Sequence, residues 1–370
     1  MKCSKSKYAL YLHVPFCFSK CKYCHFFSVT ARELNLLESY ILGLKKEVEF
    51  YQQQKLKFET LYIGGGTPNS IPIPSLHYIL DLIHTKLDLS DAIEKTIELN
   101  PDGISKELLK ILKEFGVNRI SLGVQSFVDE ELKILGRKHT ARKAEESIQT
   151  LLDAGFTNIN LDLLFYFKGQ TEKTFEFTLN KATEFPVTHI STYSMTYERG
   201  AKENLELNDE KFFIRLIKLR NRILKDHGYQ MYEISNFAKK GYECIHNLKY
   251  WLRHYYIGLG PSASGFFELD GKAYRYRNPS NFERYFNGQK IIEKITPKEA
   301  FIEEIFLKIR TRYGVKLEKD FTAFARTYLG DLVSVKHNSL KLTNKGILVA
   351  DAVTVKILEL YESYKKRAQI

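Results

Sequence analysis

Cysteine is scarce in this chain, five among 370 residues, far from the dense disulfide framework of a small secreted domain. Tryptophan is scarcer still, present only as Trp251. Long apolar runs are missing, for nothing approaches the roughly 18 apolar residues that cross a bilayer. The first ten residues, MKCSKSKYAL, carry positive charge without the apolar core of a signal peptide. Acidic residues are in deficit, 44 Asp and Glu against 56 Lys and Arg, giving a formal charge of +12. That surplus favours an anionic partner, but the charges are dispersed as on an ordinary solvated surface. The 23 tyrosines and 25 phenylalanines are scattered too and form no nucleic-acid stacking platform. The expectation is a soluble, cytoplasmic protein with no nucleic-acid partner.

The little cysteine there is lies mostly in one place. Cys17, Cys21 and Cys24 stand in YLHVPFCFSKCKYCHFFS with the spacing C-x3-C-x2-C, while Cys3 and Cys244 are distant from them. Three thiolates this close can hold three corners of a metal cluster and leave the fourth open to an exchangeable ligand. A structural zinc site is the alternative. It would need His13 or His25 as the fourth ligand, because no second C-x2-C pair exists.

β-rich runs alternate with helical stripes through the first half. Strands are expected at Tyr8–Val14, Phe58–Gly64, Lys95–Leu99, Arg119–Gly123, Asn158–Leu164 and His189–Met195. Between them, sets such as Leu37, Tyr40, Ile41, Leu44 and Val48 recur at helical spacing. Six βα units imply a parallel sheet with right-handed crossovers. Chemically distinctive residues follow or close each strand: the cysteine loop, Gly64–Pro68, Glu98 and Asn100, Gln125, Asp162, then Thr196 and Glu198. Functional groups at successive strand ends are the barrel arrangement. The predicted fold is therefore α/β, a partial (β/α)6 barrel over residues 1–205. A connecting domain over 206–295 and a C-terminal α+β module over 296–370 resembling a winged helix complete the chain. In GGGTP, three glycines would let the backbone approach a ligand closely, with N–H and C=O groups exposed to it.

The cysteine loop after the first strand and GGGTP after the second resemble the radical S-adenosylmethionine superfamily. That resemblance implies a 4Fe–4S cluster on Cys17, Cys21 and Cys24, with S-adenosylmethionine chelating the fourth iron. Within the superfamily, the strings IELNPD, RISLGVQSF, LGRKHT, HISTYSMTYERG and YEISNFAKKGYECIHNLKYW are similar to the oxygen-independent coproporphyrinogen oxidase-like branch. By position, the resemblance assigns Tyr11, Tyr23, Gly65, Gly66, Thr67, Glu98, Gln125, Arg137, Asp162 and Thr196 to S-adenosylmethionine. Two features separate the members of the branch. The dehydrogenases carry a further cysteine two residues after the third, where this chain has Phe26. The HemW heme-chaperone group carries HNxxYW, and here His246-Asn247-Leu248-Lys249-Tyr250-Trp251 matches it. The resemblance thus implies heme as a further ligand, at His246, Tyr250 and Trp251. It also implies a heme-accepting protein, at a membrane surface where basic charge would help, and leaves room for a homodimer.

Neutral imidazole is a common heme ligand, and Lys239, Lys240, Lys249 and Arg253 could meet propionates. The competing account is that His246 and Trp251 simply pack. The chain departs from the branch at His25, Phe167, Lys168 and Ser264. A coproporphyrinogen dehydrogenase, or a radical enzyme acting on the heme ring, is the alternative function. Either would need a reductant such as flavodoxin or ferredoxin.

Overall fold

A computed structural model describes residues 7–30, 35–195, 207 and 209–368. Six parallel strands lie in sequence order: β1 (Tyr8–Val14), β2 (Phe58–Gly65), β3 (Glu94–Leu99), β4 (Arg119–Gln125), β5 (Ile159–Phe165) and β6 (His189–Ser194). Helices α1 (Asn35–Gln53), α2 (Ile73–Lys86), α3 (Lys106–Glu114), α4 (Asp129–Leu135), α5 (Ala141–Asp153) and α6 (Glu172–Glu184) connect them. Period-two alternation sorts each strand between its two faces. Leu10, Leu12, Leu61, Ile63, Ile97, Ile120, Leu122, Ile159 and Leu161 join the apolar cluster under the helices. Tyr11, His13, Thr60, Tyr62, Glu98, Ser121 and Asp162 take the alternate positions and turn inward.

The sheet does not stop at residue 205. After α7 (Glu210–Asp226), β7 (Gln230–Met231) and β8 (Asn236–Ala238) extend it antiparallel beyond β6. Helix α8 (Ile245–Trp251) leads to β9 (Tyr256–Leu259), which pairs parallel with β1 on the opposite side. Strands β10 (Ser264–Leu269), β11 (Lys272–Arg277) and β12 (Ile291–Lys294) continue outward, with α9 (Phe282–Phe286) between the last two. The result is one twelve-stranded sheet, ordered β12-β11-β10-β9-β1-β2-β3-β4-β5-β6-β8-β7. The strands between residues 230 and 294 thus belong to the same sheet as the six barrel strands. The sheet is strongly curled: Tyr193 on β6 and Tyr256 on β9, at strands far apart in that order, line the same cavity.

Helix α8 plugs the barrel interior. Buried Glu94, at the start of β3, accepts from the α8 backbone N–H groups of Ile245 (2.8 Å) and His246 (2.9 Å). A carboxylate there satisfies donors that the helix cannot satisfy itself and offsets its positive end. Cys244 caps the same turn through its sulfur and is fully buried, a structural role.

The C-terminal region has a core of its own, built on Ile305, Phe321, Leu340 and Ile357. Its first helix, α10 (Pro297–Lys308), opens with proline at N1 and a Thr296–Glu299 capping box. Helix α11 (Lys319–Leu329) and the strands β13 (Val315–Lys316), β14 (Val333–Lys336) and β15 (Ser339–Leu342) follow. His337 and Asn338 both have positive φ, as a two-residue hairpin turn requires. After the short helix α12 (Asn344–Ile347), α13 (Ala350–Ala368) completes the wing-then-helix order read from the sequence.

Candidate functional site

The cysteine loop is pinched shut at its base. Phe16 and Cys17 pair with Val29 and Thr30, and Val29 N–H donates to the Pro15 carbonyl at 2.7 Å. Its middle is tied to the end of α4 by Lys22 N–H on the Leu135 carbonyl, 3.2 Å. Donors reach two of the sulfurs: Thr67 Oγ1 to Cys17 Sγ and Arg137 Nη1 to Cys21 Sγ, each 3.5 Å. Burial pushes the Cys17 thiol up and the Cys24 thiol up to about 11.

These residues fit an iron–sulfur cluster. The three thiols are free, and each lies within the electrostatic reach of another. Yet among the described residues no three His, Cys, Asp or Glu side chains converge on a single ion. Three free thiols within one short loop suit a cluster in which each thiolate takes a different iron. His13 is unsuited to completing a zinc site. Its Nε2 donates to the Phe27 carbonyl at 2.9 Å, and its Nδ1 accepts from Tyr11 Oη at 3.0 Å. Burial holds this imidazole neutral, with its pKa lowered to about 4.

The glycine run sits where expected but acts differently. Its N–H groups are engaged inside the protein: Gly65 on Glu98 Oε2 (3.0 Å), Gly66 on the Val14 carbonyl (2.9 Å) and Thr67 on the Phe16 carbonyl (2.6 Å). These three donors are therefore taken up within the protein. A Cβ at Gly64 would lie 2.6 Å from the Glu98 carboxylate, and one at Gly66 2.6 Å from two carbonyl oxygens of the cysteine-loop strand. Gly65 has φ +104°, a conformation that side chains disfavour. GGGTP clamps β2 against the entry to the cysteine loop.

Around this clamp the sequence-predicted residues converge. Glu98 accepts from Tyr62 Oη (2.8 Å) as well as from Gly65, and burial, with nearby Asp162 adding to it, raises its pKa to about 7. Asp162 is gripped by Ser121 Oγ (2.8 Å) and Asn160 Nδ2 (2.9 Å), and burial raises its pKa too. Gln125 ends β4 with φ +68°, beside a register shift against β5. Arg137 donates to the Gly123 carbonyl (2.8 Å) and lies 3.5 Å from Tyr23 Oη, while its buried Nε has no partner. An orphaned donor beside the thiols is what an absent anionic ligand would leave. Tyr23 packs against the cluster of Leu135, Leu164, Phe167 and Met195, so the Phe167 departure is a buried packing residue behind the site. Thr196 lies outside the described residues.

A cavity of about 490 Å³ opens here, walled by Tyr11, His13, Tyr62, Glu98, His246 and Tyr250 among others. His25, Phe26 and Ser264 also border it, whereas Lys168 is exposed. His13 and Tyr62 had not been singled out as wall residues. The signal was present, since each stands two residues from an inward position, at Tyr11 and Gly64.

His246 is buried, with Nδ1 2.9 Å from Thr60 Oγ1 and Nε2 2.7 Å from Tyr250 Oη. Burial lowers its pKa to about 3. To ligate iron it would have to surrender Tyr250 or Thr60. Trp251 is half-buried and does not line the cavity. Two expected propionate partners are engaged elsewhere: Lys249 is buried on Glu59, and Arg253 pairs with Glu303 at 3.0 Å. Of the expected heme residues, His246 and Tyr250 line the cavity.

Residues 11–182, the barrel, match the Radical SAM superfamily. The chain is 34% identical to the heme chaperone HemW of Lactococcus lactis subsp. lactis (strain IL1403), over 94% of this chain and 96% of that one. Identity is also 34% to the HemW of Bacillus subtilis (strain 168), covering 93% and 97% of the two chains. The chain belongs to the heme chaperone HemW family. Coproporphyrinogen III oxidase (HemN) from Escherichia coli, a radical SAM enzyme, shares the fold with a TM-score of 0.81. That likeness covers 95% of this chain and 90% of the other at 20% identity. Membership of the family thus extends through β12 and the C-terminal module. No helix among the described residues is long and apolar enough to cross a membrane.

Proposed function

We propose that this protein is a heme chaperone that binds a 4Fe–4S cluster, S-adenosylmethionine and heme, and passes heme to an acceptor protein. The observation that carries the proposal is an intact three-thiol loop bordered by Phe26. This ring is 65% exposed at the cavity, where catalytic relatives place a cysteine. A phenyl ring has no sulfur chemistry to offer, so cofactor binding is retained while the oxidising function loses a reactive group.

Cys17, Cys21 and Cys24 would hold the cluster, which when bound supplies an open iron position for the methionyl amine and carboxylate. The chain's own residues prepare the surroundings. Arg137 and Thr67 place donors on two sulfurs. Glu98, poised near neutral pH, offers the cofactor either a carboxylate or a carboxylic acid. Tyr11 and neutral His13 form one wall through their mutual hydrogen bond, without placing a second charge beside Glu98. Hand-over would follow contact with the acceptor, helped at an anionic membrane surface by the +12 charge.

The test is anaerobic reconstitution with iron and sulfide, followed by hemin loading and transfer to an apo-globin. Stoichiometric heme that moves to the globin is expected. A folded, cluster-containing protein that retains no heme would reject the proposal. Turnover of coproporphyrinogen with S-adenosylmethionine and a reductant would favour the dehydrogenase instead.

A further inference from the structure

The barrel cavity is walled mainly by rings and hydroxyls, and Arg277 is the only lysine or arginine that borders it. As the last residue of β11, Arg277 stands opposite Ser264 of β10 on one side and Ile291 of β12 on the other. Directly opposed residues share a face of the sheet, and Ser264 borders the cavity with it. Tyr276, one residue earlier, turns to the other face and joins the apolar core. Arg275, two residues earlier, is neutralised by Glu303 at 2.8 Å and Glu293 at 3.7 Å. Arg277 has no such carboxylate across from it. Its neighbours offer a hydroxyl and an aliphatic chain, its side chain is exposed, and among the described residues no ion pair involves it. Its backbone is nonetheless fixed. The next residue, buried Asn278, donates through Nδ2 to Glu47 Oε1 (2.9 Å) and the Gly260 carbonyl (2.8 Å), and through its N–H to the Ala263 carbonyl (2.8 Å).

Taking the heme-carrying function proposed above as its basis, we propose that Arg277, with Ser264 across the hairpin, binds a propionate carboxylate of heme at the mouth of the barrel. Lys249 and Arg253, the cations next to the HNLKYW helix, are held by Glu59 and Glu303. Arg277 instead keeps its guanidinium fork, whose geometry matches a carboxylate, for a ligand. The only carboxyl group on the cavity wall, Glu98, is engaged by Tyr62 and Gly65. The cavity is graded as an amphipathic cargo demands. His246 is buried and Tyr11, Tyr62 and Tyr250 are partly buried, whereas Phe26 and Arg277 are exposed. The apolar part of the ring enters among the aromatic side chains, and the carboxylate edge stays at the water, where pairing with Arg277 costs little desolvation. The rim pair thereby sets specificity, selecting a tetrapyrrole with a free carboxylate over one whose acids are esterified.

The test is titration of the full-length, cluster-reconstituted protein with hemin and with hemin dimethyl ester, whose side chains carry no charge, for wild type, Arg277→Gln and Arg277→Lys. Arg277 is exposed, so both variants should fold and keep wild-type iron content. Wild type is expected to prefer hemin over the ester by about tenfold, the worth of one charge-assisted hydrogen bond. Arg277→Gln should bind hemin about tenfold more weakly and the ester like wild type, while Arg277→Lys restores part of the preference. Affinity for S-adenosylmethionine should be the same in all three. A wild type without the preference, or a preference that survives Arg277→Gln, would overturn the assignment, as would equal loss of hemin and ester. If Arg277→Gln instead weakens S-adenosylmethionine binding and leaves hemin unchanged, the cation serves the methionyl carboxylate and the proposal fails. Absence of hemin binding by wild type would reject the carrier function on which the site rests.

Discussion

Replacing Glu98 by glutamine should change how the protein's stability depends on pH. Burial, then Asp162, raises the folded-state pKa of this carboxyl from its ordinary 4.5 to about 7. Between those values the folded chain holds a proton that the unfolded chain has released, so stability falls as pH rises through the window. The rise from 4.5 to about 7, at ~1.4 kcal/mol for each pH unit, sets an upper limit of ~3.5 kcal/mol, reduced by whatever water in the cavity screens the charge. The substituted amide cannot ionise, but it can accept from Gly65 N–H and donate to Tyr62 Oη, preserving the geometry of the protonated acid. The stability of Glu98→Gln relative to wild type should therefore rise from near zero at about pH 4.5 to a plateau above pH 7. Denaturant titrations of both cofactor-free proteins at matched salt, across about pH 5 to 8, measure this difference directly. A difference that stays constant over that range would refute the reasoning.

Three further outcomes follow from the site's construction. Gly66→Ala drives a methyl group into the Val14 and Phe16 carbonyls, which should cost about 1–3 kcal/mol and lower cluster occupancy, read as iron per chain. Cys24→Ala should abolish the cluster's absorption while far-ultraviolet circular dichroism stays unchanged, since a half-buried loop thiol contributes little to the core. Lys249→Ala strands the Glu59 carboxylate and should cost up to ~3 kcal/mol of stability, partly restored by adding Glu59→Gln. Its heme affinity should match wild type; a selective loss of heme by a stable Lys249→Ala protein would restore Lys249 as a propionate partner.

The six barrel strands were legible because their apolar runs and two-residue alternation are local properties, and each end falls within about two residues of its expected position. The glycine run was legible as a special place, but not for its physical reason. Glycine can be required by a ligand or by neighbouring backbone, and the sequence does not distinguish these causes. The deciding neighbours, Val14, Phe16 and Glu98, are remote along the chain. His246 shows the same limit. Its motif stood out, yet the Thr60 and Glu94 contacts that lock it in place come from β2 and β3.

The outer strands were hidden for a different reason. β7 to β12 run for only two to six residues, too short for periodicity to declare them, and they form because β1 and β6 offer free edges for pairing. Closing one edge with β9 and α8 seals the barrel interior, while carrying the chain outward through β12 creates a second concavity against α1. Its walls unite Gly43–Leu56 with Ile257–Ile292, so no window of sequence displays it. The dispersed aromatic residues, which form no platform along the chain, converge there only after folding.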